Sequence, residues 1–330
     1  MPRIVVLDGY TLTPNGPDEP PSLDRDEVCW DDLAQLGDLE VYPRTRSDEL
    51  IDRLAGVQVV LINKVPLKTD VIAKLPDLKY IGILGTGTNT VDLPAATDAG
   101  IVVTNVPGYS SVSVAQHTIA LMLALAANIP GHNQAVHEGR WTACQDFCFT
   151  VSPIIELKDK TLGIIGPGAI GGQVARIAHA MGMNIVAHSR SRKDVGVPVT
   201  WLEIDDLFAQ ADVISLNCPL TEQTANVANA ARIASMKPGA MLINTSRGGL
   251  VDAAALAAAL RAGDIAGAAL DALDPEPPTA DHPLLGAPNC IITPHLAWAS
   301  VESRLRLMQT ATDNVRAFLG NQSSNVVNNA

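Results

Sequence analysis

Residues 161–172 read TLGIIGPGAIGG, and no other stretch of the chain limits its fold as tightly. A β-branched run leads straight into Gly166-x-Gly168-x-x-Gly171, and an alanine-rich helical pattern follows. Each glycine has a physical reason in a strand–turn–helix unit that holds a dinucleotide. The first allows the tight turn, the second lets backbone approach a pyrophosphate, and the third lets helix and strand pack closely. The free N–H groups at the start of the helix then face the phosphates. The context, a strand before and a helix after, separates this motif from a chance GxGxxG. A packing turn in another α/β protein and a methyltransferase loop are its competitors.

The rest of the chain repeats the same alternation. Short β-branched runs at 3–7, 39–42, 57–62, 80–84 and 102–104 are interleaved with amphipathic ones at 30–37, 47–55, 68–75 and 93–99. A helix is expected over 113–127, with Ser113 as its N-cap, and irregular chain over 128–153. A second strand series follows at 161–165, 184–188, 213–216, 240–244, 267–273 and 290–293, then a final helix over 300–319. The segment 14–26, rich in proline and acids, reads as an exposed loop. With 330 residues the chain is long enough for two domains, and the final helix, lying beyond the second series, can pack back on the first.

Charge and cysteines narrow the function classes. A net charge of −12 argues against a nucleic-acid partner. The five cysteines are odd in number and scattered, which points to free, buried thiols in a reducing cytoplasm and to no metal site. No apolar run is long enough to span a membrane.

The ribose end and the reacting end of a dinucleotide both find candidates. An Asp or Glu about twenty residues beyond the loop would hold a ribose 2′-hydroxyl. Here that region carries Ser189, Arg190, Arg192 and Lys193 and no acid before Asp194, which favours NADP(H), with NAD(H) the lesser option. Three later strand ends carry polar chemistry: NTSRGGLVD with Arg247, DALDPEP with Asp271 and Glu276, and TPHLAW with His295. Ligands of open α/β sheets sit at such ends. Reduction of a 2-keto acid leaves charge on the carbonyl oxygen, so a proton donor is needed, and His295 suits that task. Glu276 can fix the imidazole's orientation, and Arg247 can hold a carboxylate while polarising the carbonyl. No metal is required.

The residues so assembled resemble the D-isomer-specific 2-hydroxyacid dehydrogenases. The resemblance runs through nearly the whole chain: IVVLDGYTL, GTGTNTVDL at 85–93, NVPGYSSVSVAQHTIALML at 105–123, the glycine loop, NCPLTEQT at 217–224 and the Arg, Glu and His segments. GTGTNTVD, VPGYSSVSVAQ and DFCF at 146–149 are most similar to the glycerate dehydrogenase and hydroxypyruvate or glyoxylate reductase branch. The resemblance implies an α/β fold of two Rossmann-like domains with parallel sheets. The nucleotide-binding domain, 107–298, would be inserted into a discontinuous flavodoxin-like substrate domain, 1–106 with 299–330. It implies Arg247, Glu276 and His295 as the catalytic set, and Gly85, Thr86 and Gly87 as the backbone receiving the substrate carboxylate beside Arg247. The cofactor would meet Gly166, Gly168, Ala169, Ile170 and Gly171 at the pyrophosphate, and Ser189, Arg190 and Arg192 at the ribose. Cys218, Pro219 and Thr224 would line the adenosine side, and Thr245, Ser246, Arg247, Asp271 and His295 the nicotinamide end. Members are usually homodimers through the helix near 113–127 and the arm after it. In this chain the arm carries Trp141, Phe147 and Phe149, which would pack that interface or cap the partner's substrate pocket. Pro167 and Ala169 depart from the family's usual loop, leaving the pyrophosphate to backbone N–H groups. Corepressor relatives that sense redox state without turnover keep the same trio, so a binding protein is the rival of another class.

Overall fold

The structure, a computed structural model, describes residues 1–12 and 28–328, and the expected loop at 14–26 lies outside the described residues. The chain divides into two compact units, Met1–Ser110 with Ala299–Ala330, and Ser111–Trp298.

The first unit holds a parallel sheet of β1 (Arg3–Val6), β2 (Asp38–Val41), β3 (Val59–Ile62), β4 (Tyr80–Ile83) and β5 (Val102–Thr104) in the order β2-β1-β3-β4-β5. Helices α1 (Asp31–Ala34), α2 (Leu50–Leu54), α3 (Thr69–Ile72) and α4 (Leu93–Asp98) connect the strands. The order is that of flavodoxin-like sheets, with helices on both faces. Burial explains the composition: β3 and β4 are buried at every position, as parallel strands covered on both sides must be.

The last helix, Val301–Leu319, belongs to this unit although it lies some two hundred residues later. Side chains and backbone tie it down. Tyr80 and Phe318 stack with ring centroids 4.8 Å apart, and the Tyr80 hydroxyl shares a 2.5 Å hydrogen bond with Thr104 Oγ1. Arg304, buried, donates to the carbonyl of Leu12 at 3.0 Å, and Asn314 Nδ2 donates to the carbonyl of Asn105 at 3.0 Å. Val103 N–H donates to Asn328 Oδ1 and Val327 N–H to the Val103 carbonyl, so the tail after the helix also pairs with β5.

The second unit opens with α5 (Ser111–Ala126) and α6 (Ile129–His137). Its seven-stranded parallel sheet comprises β6 (Thr161–Ile165), β7 (Asn184–His188), β8 (Thr200–Trp201), β9 (Val213–Leu216), β10 (Met241–Asn244), β11 (Gly267–Leu270) and β12 (Cys290–Ile292), in the order β12-β11-β10-β9-β6-β7-β8. Helices α7 (Ala169–Ala180), α8 (Ile204–Gln210), α9 (Ala230–Ser235) and α10 (Ala253–Ala262) cover it. The order reverses between β6 and β9, so the topological switch point falls where β6 runs into the glycine loop. Two apolar layers fill the faces: α5 and α7 over one, α8 to α10 over the other.

Three expectations need correction. Residues 129–137 are helical where irregular chain was expected. Pro130 stands in the first turn, where its missing N–H breaks nothing, and Asn128, at φ +44°, caps the helix by accepting from Gly131 N. Helix α5 starts at Ser111, so Ser113 is not its cap, and its Oγ instead donates to the carbonyl of Ala297 at 2.6 Å. The thiols are free but not uniformly buried: Cys218 is, whereas Cys29 and Cys148 are exposed.

Leu307, buried completely in the last helix, tests how far that helix carries the first unit. Leu307→Ala should cost about 2–5 kcal/mol, read as a lowered urea midpoint. Leu319→Ala, at a half-exposed position of the same helix, should stay within about 0.5 kcal/mol.

Candidate functional site

The glycine loop leaves β6 at Gly166, whose φ of +84° lies in the left-handed region. A Cβ there would fall 2.8 Å from Cys218 Cα, so β6 and the end of β9 approach too closely for any side chain. At Gly171 a Cβ would meet the Gly166 carbonyl at 2.6 Å, which is the close helix–strand contact expected of the third glycine. Gly168 is the opposite case, because a Cβ there would meet nothing within 4 Å. The loop is therefore packed tight behind and open in front, at the middle glycine. Gly168 caps α7 with no side chain, and the first bond across the helix start is Gly172 N to the Gly168 carbonyl at 2.8 Å. The N–H groups of Ala169, Ile170 and Gly171 precede that bond and face the open side. These residues fit a pyrophosphate.

Around the loop the expected cofactor residues fall at neighbouring strand ends. Ser189, Arg190 and Arg192 follow β7; both arginines are exposed, and neither forms a hydrogen bond or ion pair among the described residues. Cys218 and Pro219 follow β9, where burial pushes the Cys218 thiol up. Thr224 closes that turn, its Oγ1 donating to the Pro219 carbonyl at 2.6 Å. Thr245 and Ser246 follow β10: Thr245 is buried and shares a 2.8 Å hydrogen bond with Thr118, while Ser246 Oγ donates to the Leu216 carbonyl at 2.9 Å.

Arg247 is exposed at the end of the same turn, its backbone carbonyl held by Asn244 Nδ2 at 2.7 Å. The next residue explains how this turn meets the following one. A Cβ on Gly248 would sit 2.1 Å from the backbone carbon of Leu273, so only glycine lets the two turns touch. Leu273 N in turn donates to Glu276 Oε1 at 3.2 Å. Glu276 Oε2 lies 2.8 Å from His295 Nδ1. Both side chains are about one-third exposed, 36% and 28%, so the pair is neither sealed from a ligand nor dissolved in bulk water. The structure thus joins His295 to Glu276 directly, and joins the Glu276 turn to the Arg247 turn by backbone contact.

His295 adopts φ +52°, an uncommon left-handed conformation for a residue with a side chain. Such a state carries about 1–3 kcal/mol of strain and persists only when the surroundings over-determine it. They do. His295 N donates to the Asp271 carbonyl at 2.8 Å, and Trp298 Nε1 donates to the His295 carbonyl at 2.8 Å. The Asp271 carboxylate accepts from Leu296 N and Ala297 N, both at 2.9 Å, and from Thr293 Oγ1 at 2.6 Å. Asp271, expected beside the nicotinamide, is 1% exposed and turns its carboxylate into the His295 turn. Sequence reasoning did not single out Thr293, His117 or Thr118, and placed Ser113 only as a cap. The available signal was the polar set Ser113, His117 and Thr118 in a helix whose other buried residues are all apolar.

In the first unit the expected carboxylate-binding backbone follows β4. Gly85 accepts from Val106 N at 2.9 Å, Thr86 Oγ1 donates to the Val106 carbonyl at 2.9 Å, and the Thr86 carbonyl accepts from Asn105 Nδ2 at 2.8 Å. This turn is a braced loop with Thr86 committed to its own unit.

Comparison with known proteins gives the family of the chain. Residues 119–297 match the profile of the NAD-binding domain of the D-isomer specific 2-hydroxyacid dehydrogenases. The chain is 42% identical to a hydroxypyruvate reductase of Blautia hydrogenotrophica over 99% of each chain. It is 42% identical to a glycerate dehydrogenase of Methylorubrum extorquens over 85% of this chain and 88% of the other. Among solved structures, an NADPH-dependent glyoxylate/hydroxypyruvate reductase of Sinorhizobium meliloti in complex with citrate superposes with a TM-score of 0.81. It is 28% identical, over 99% of this chain and 98% of that one.

The loop geometry makes a direct prediction about dinucleotide binding. Gly171→Ala forces a Cβ against the Gly166 carbonyl and should weaken NAD(P)H binding roughly tenfold or more, about 1.4 kcal/mol. Quenching of tryptophan fluorescence by NADH and NADPH measures it. Unchanged affinity would place the cofactor elsewhere.

Proposed function

The chain belongs to the D-isomer-specific 2-hydroxyacid dehydrogenase family, an oxidoreductase family with a nicotinamide cofactor, and on that premise we propose that it reduces hydroxypyruvate or glyoxylate to D-glycerate or glycolate. The observation that carries this reading is the 2.8 Å contact between His295 Nδ1 and Glu276 Oε2, made at strand ends of the unit that holds the glycine loop.

The bound cofactor supplies a hydride for the carbonyl carbon of the substrate. The chain supplies the rest. Glu276 accepts from Nδ1 and so leaves Nε2 of His295 as the atom that gives a proton to the developing alkoxide. In the oxidative direction the same nitrogen takes the proton back. Arg247 offers a planar fork to the keto-acid's carboxylate and carbonyl oxygens, and fixed positive charge there stabilises the oxyanion as it forms. The backbone N–H groups of Gly85, Thr86 and Gly87 receive the substrate carboxylate in this reading. Gly168, Ala169, Ile170 and Gly171 hold the pyrophosphate, and Cys218, Pro219 and Thr224 border the adenosine. Thr245, Ser246 and Asp271 lie at the nicotinamide end. His295→Asn should lower kcat by roughly 10²–10⁴-fold with little change in cofactor affinity. Arg247→Lys should raise KM and lower kcat together, because an ammonium cannot reproduce the fork. A panel of glyoxylate, hydroxypyruvate, pyruvate and phenylpyruvate, each with NADH and NADPH, tests the substrate class. Absence of turnover with all of them would replace this reading with a nucleotide-sensing one.

NADPH is the preferred cofactor in this reading. Ser189 puts no carboxylate against a 2′-phosphate, and the uncommitted guanidinium groups of Arg190 and Arg192 are free to bind one. Ser189→Asp combined with Arg190→Ala should reverse the kcat/KM ratio for the two cofactors, and a wild-type preference for NADH would refute the assignment.

The protein is further proposed to work as a cytoplasmic homodimer. Exposed apolar side chains gather in one stretch after α5: Ile129, Val136, Trp141, Phe147, Val151 and Ile154. Phe147 is 89% exposed although the Trp141 indole donates to its carbonyl and fixes the arm. A second copy is the partner this surface fits. Val136→Glu with Ile154→Glu should halve the mass in sedimentation, and an unaltered sedimentation profile would dismiss this interface.

A further inference from the structure

The mechanism above asks for His295 in one place, and leaves unexplained a polar cluster on the helix beside it. Helix α5 is packed among apolar residues of the second unit, yet its N-terminal half also carries Ser113, His117 and Thr118. All three reach the turns of the site. Ser113 Oγ donates to the Ala297 carbonyl at 2.6 Å. His117 Nε2 lies 3.1 Å from Thr293 Oγ1 and 3.6 Å from Asp271 Oδ1. Thr118 is bonded to Thr245, two residues before Arg247.

Hydrogen-bond bookkeeping gives the chain of groups a direction. Thr293 has one hydroxyl proton, and at 2.6 Å it goes to the acceptor-only carboxylate of Asp271. Towards His117 the same oxygen can therefore only accept, so His117 Nε2 carries a hydrogen and donates. The order is His117 to Thr293 to Asp271. Asp271 Oδ1 also accepts from Leu296 N, Oδ2 accepts from Ala297 N, and the two amides follow His295 immediately.

We propose that His117 is a positioning residue for the acid/base histidine: through Thr293 it sets the Asp271 carboxylate, and through that carboxylate the turn that carries His295. The inference rests on the assignment of His295 as the proton donor. The carboxylate has no room to choose another orientation while all three donors are in place. With His117 gone, Thr293 Oγ1 keeps its bond to Oδ1 but loses the donor that holds it from the other side, so one of the three groups on the carboxylate is less firmly placed. The left-handed conformation at His295 is then less well determined, and the imidazole drifts from Glu276. His117 touches neither cofactor nor substrate in this account; it acts only through position.

The test compares His117→Leu, which keeps bulk and removes the donor, with His117→Gln, whose amide N–H reaches the depth of Nε2. For His117→Leu, kcat should fall about 10–100-fold, the loss expected when a reacting group is misplaced by about 1 Å. The dissociation constant for NADPH should stay within roughly threefold. His117→Gln should restore most of kcat. A role in stability alone would lower Tm without this split between kcat and cofactor affinity. Hydrogen exchange gives a second reading that needs no substrate: in His117→Leu the peptide over 293–298 should exchange roughly tenfold faster, with the peptide over 161–172 unchanged, and His117→Gln should reverse it. Wild-type levels of both kcat and exchange in His117→Leu would overturn the proposal, as would a glutamine variant no better than the leucine one. If the wild-type protein turned over no keto acid, the functional reading would fall, and the exchange of 293–298 would still decide whether His117 positions the turn.

Discussion

The carboxylate of Asp271 is the interaction on which the geometry of the site depends. Burying a carboxylate costs several kcal/mol unless its oxygens find donors. Here they find three: a hydroxyl and two backbone amides, all from the residues that follow β12. Each also does a second job, because each donor lies within two residues of His295. The charge that would otherwise destabilise the interior thereby holds a short turn in a conformation the backbone disfavours. That is a strained state kept by its surroundings rather than by its own preference.

Parallel sheets place such strain where it is useful. In both units the central strands are buried on both faces and offer chemistry only at their ends, where the chain must turn without a regular ladder. In the second unit the ends of β6, β7, β9, β10, β11 and β12 carry the glycine loop, the basic run, Cys218, Arg247, Asp271 and His295 in that order. Close approach replaces side chains at the tight points. Gly166 lies against Cys218, Gly171 against Gly166, and Gly248 against Leu273.

Much of this was legible in the sequence. Strand runs of β-branched residues gave both sheets, and the glycine loop marked the switch point. Arg247, Glu276 and His295 stood out together because ligands of open α/β sheets sit at strand ends and because an acid, its partner and a carboxylate holder match one reaction. What was hidden depends on distance along the chain or on a local rule that cuts both ways. His117 and Thr293 are 176 residues apart, and no local pattern announces their contact. The same holds for Asn328 against Val103, 225 residues apart, which ties the tail to β5. Helix α6 was hidden by Pro130 and Gly131, residues that break a helix in its middle and are accepted in its first turn. Asp271 was legible as a polar strand end, but its direction was not, since alternate residues of a strand face opposite ways and only packing shows which face meets α5.

The parts of the site are mechanically coupled, and the coupling follows a traceable path. Backbone contact at Gly248 fixes the Arg247 turn against Leu273. Leu273 N fixes one oxygen of Glu276, whose other oxygen meets His295. His295 returns through its own N–H to the carbonyl of Asp271, at the end of β11. Helix α5 then touches this ring at two places, Thr118 at the Arg247 turn and His117 with Ser113 at the His295 turn. A rigid helix that grips both turns limits their relative motion to less than either loop would allow alone. Proton transfer demands a heavy-atom separation near 3 Å, and a loop with the freedom of ordinary surface chain would meet that only part of the time. Ser113, His117 and Thr118 of α5 are therefore better understood as part of the site's framework than as breaches in the packing of the helix.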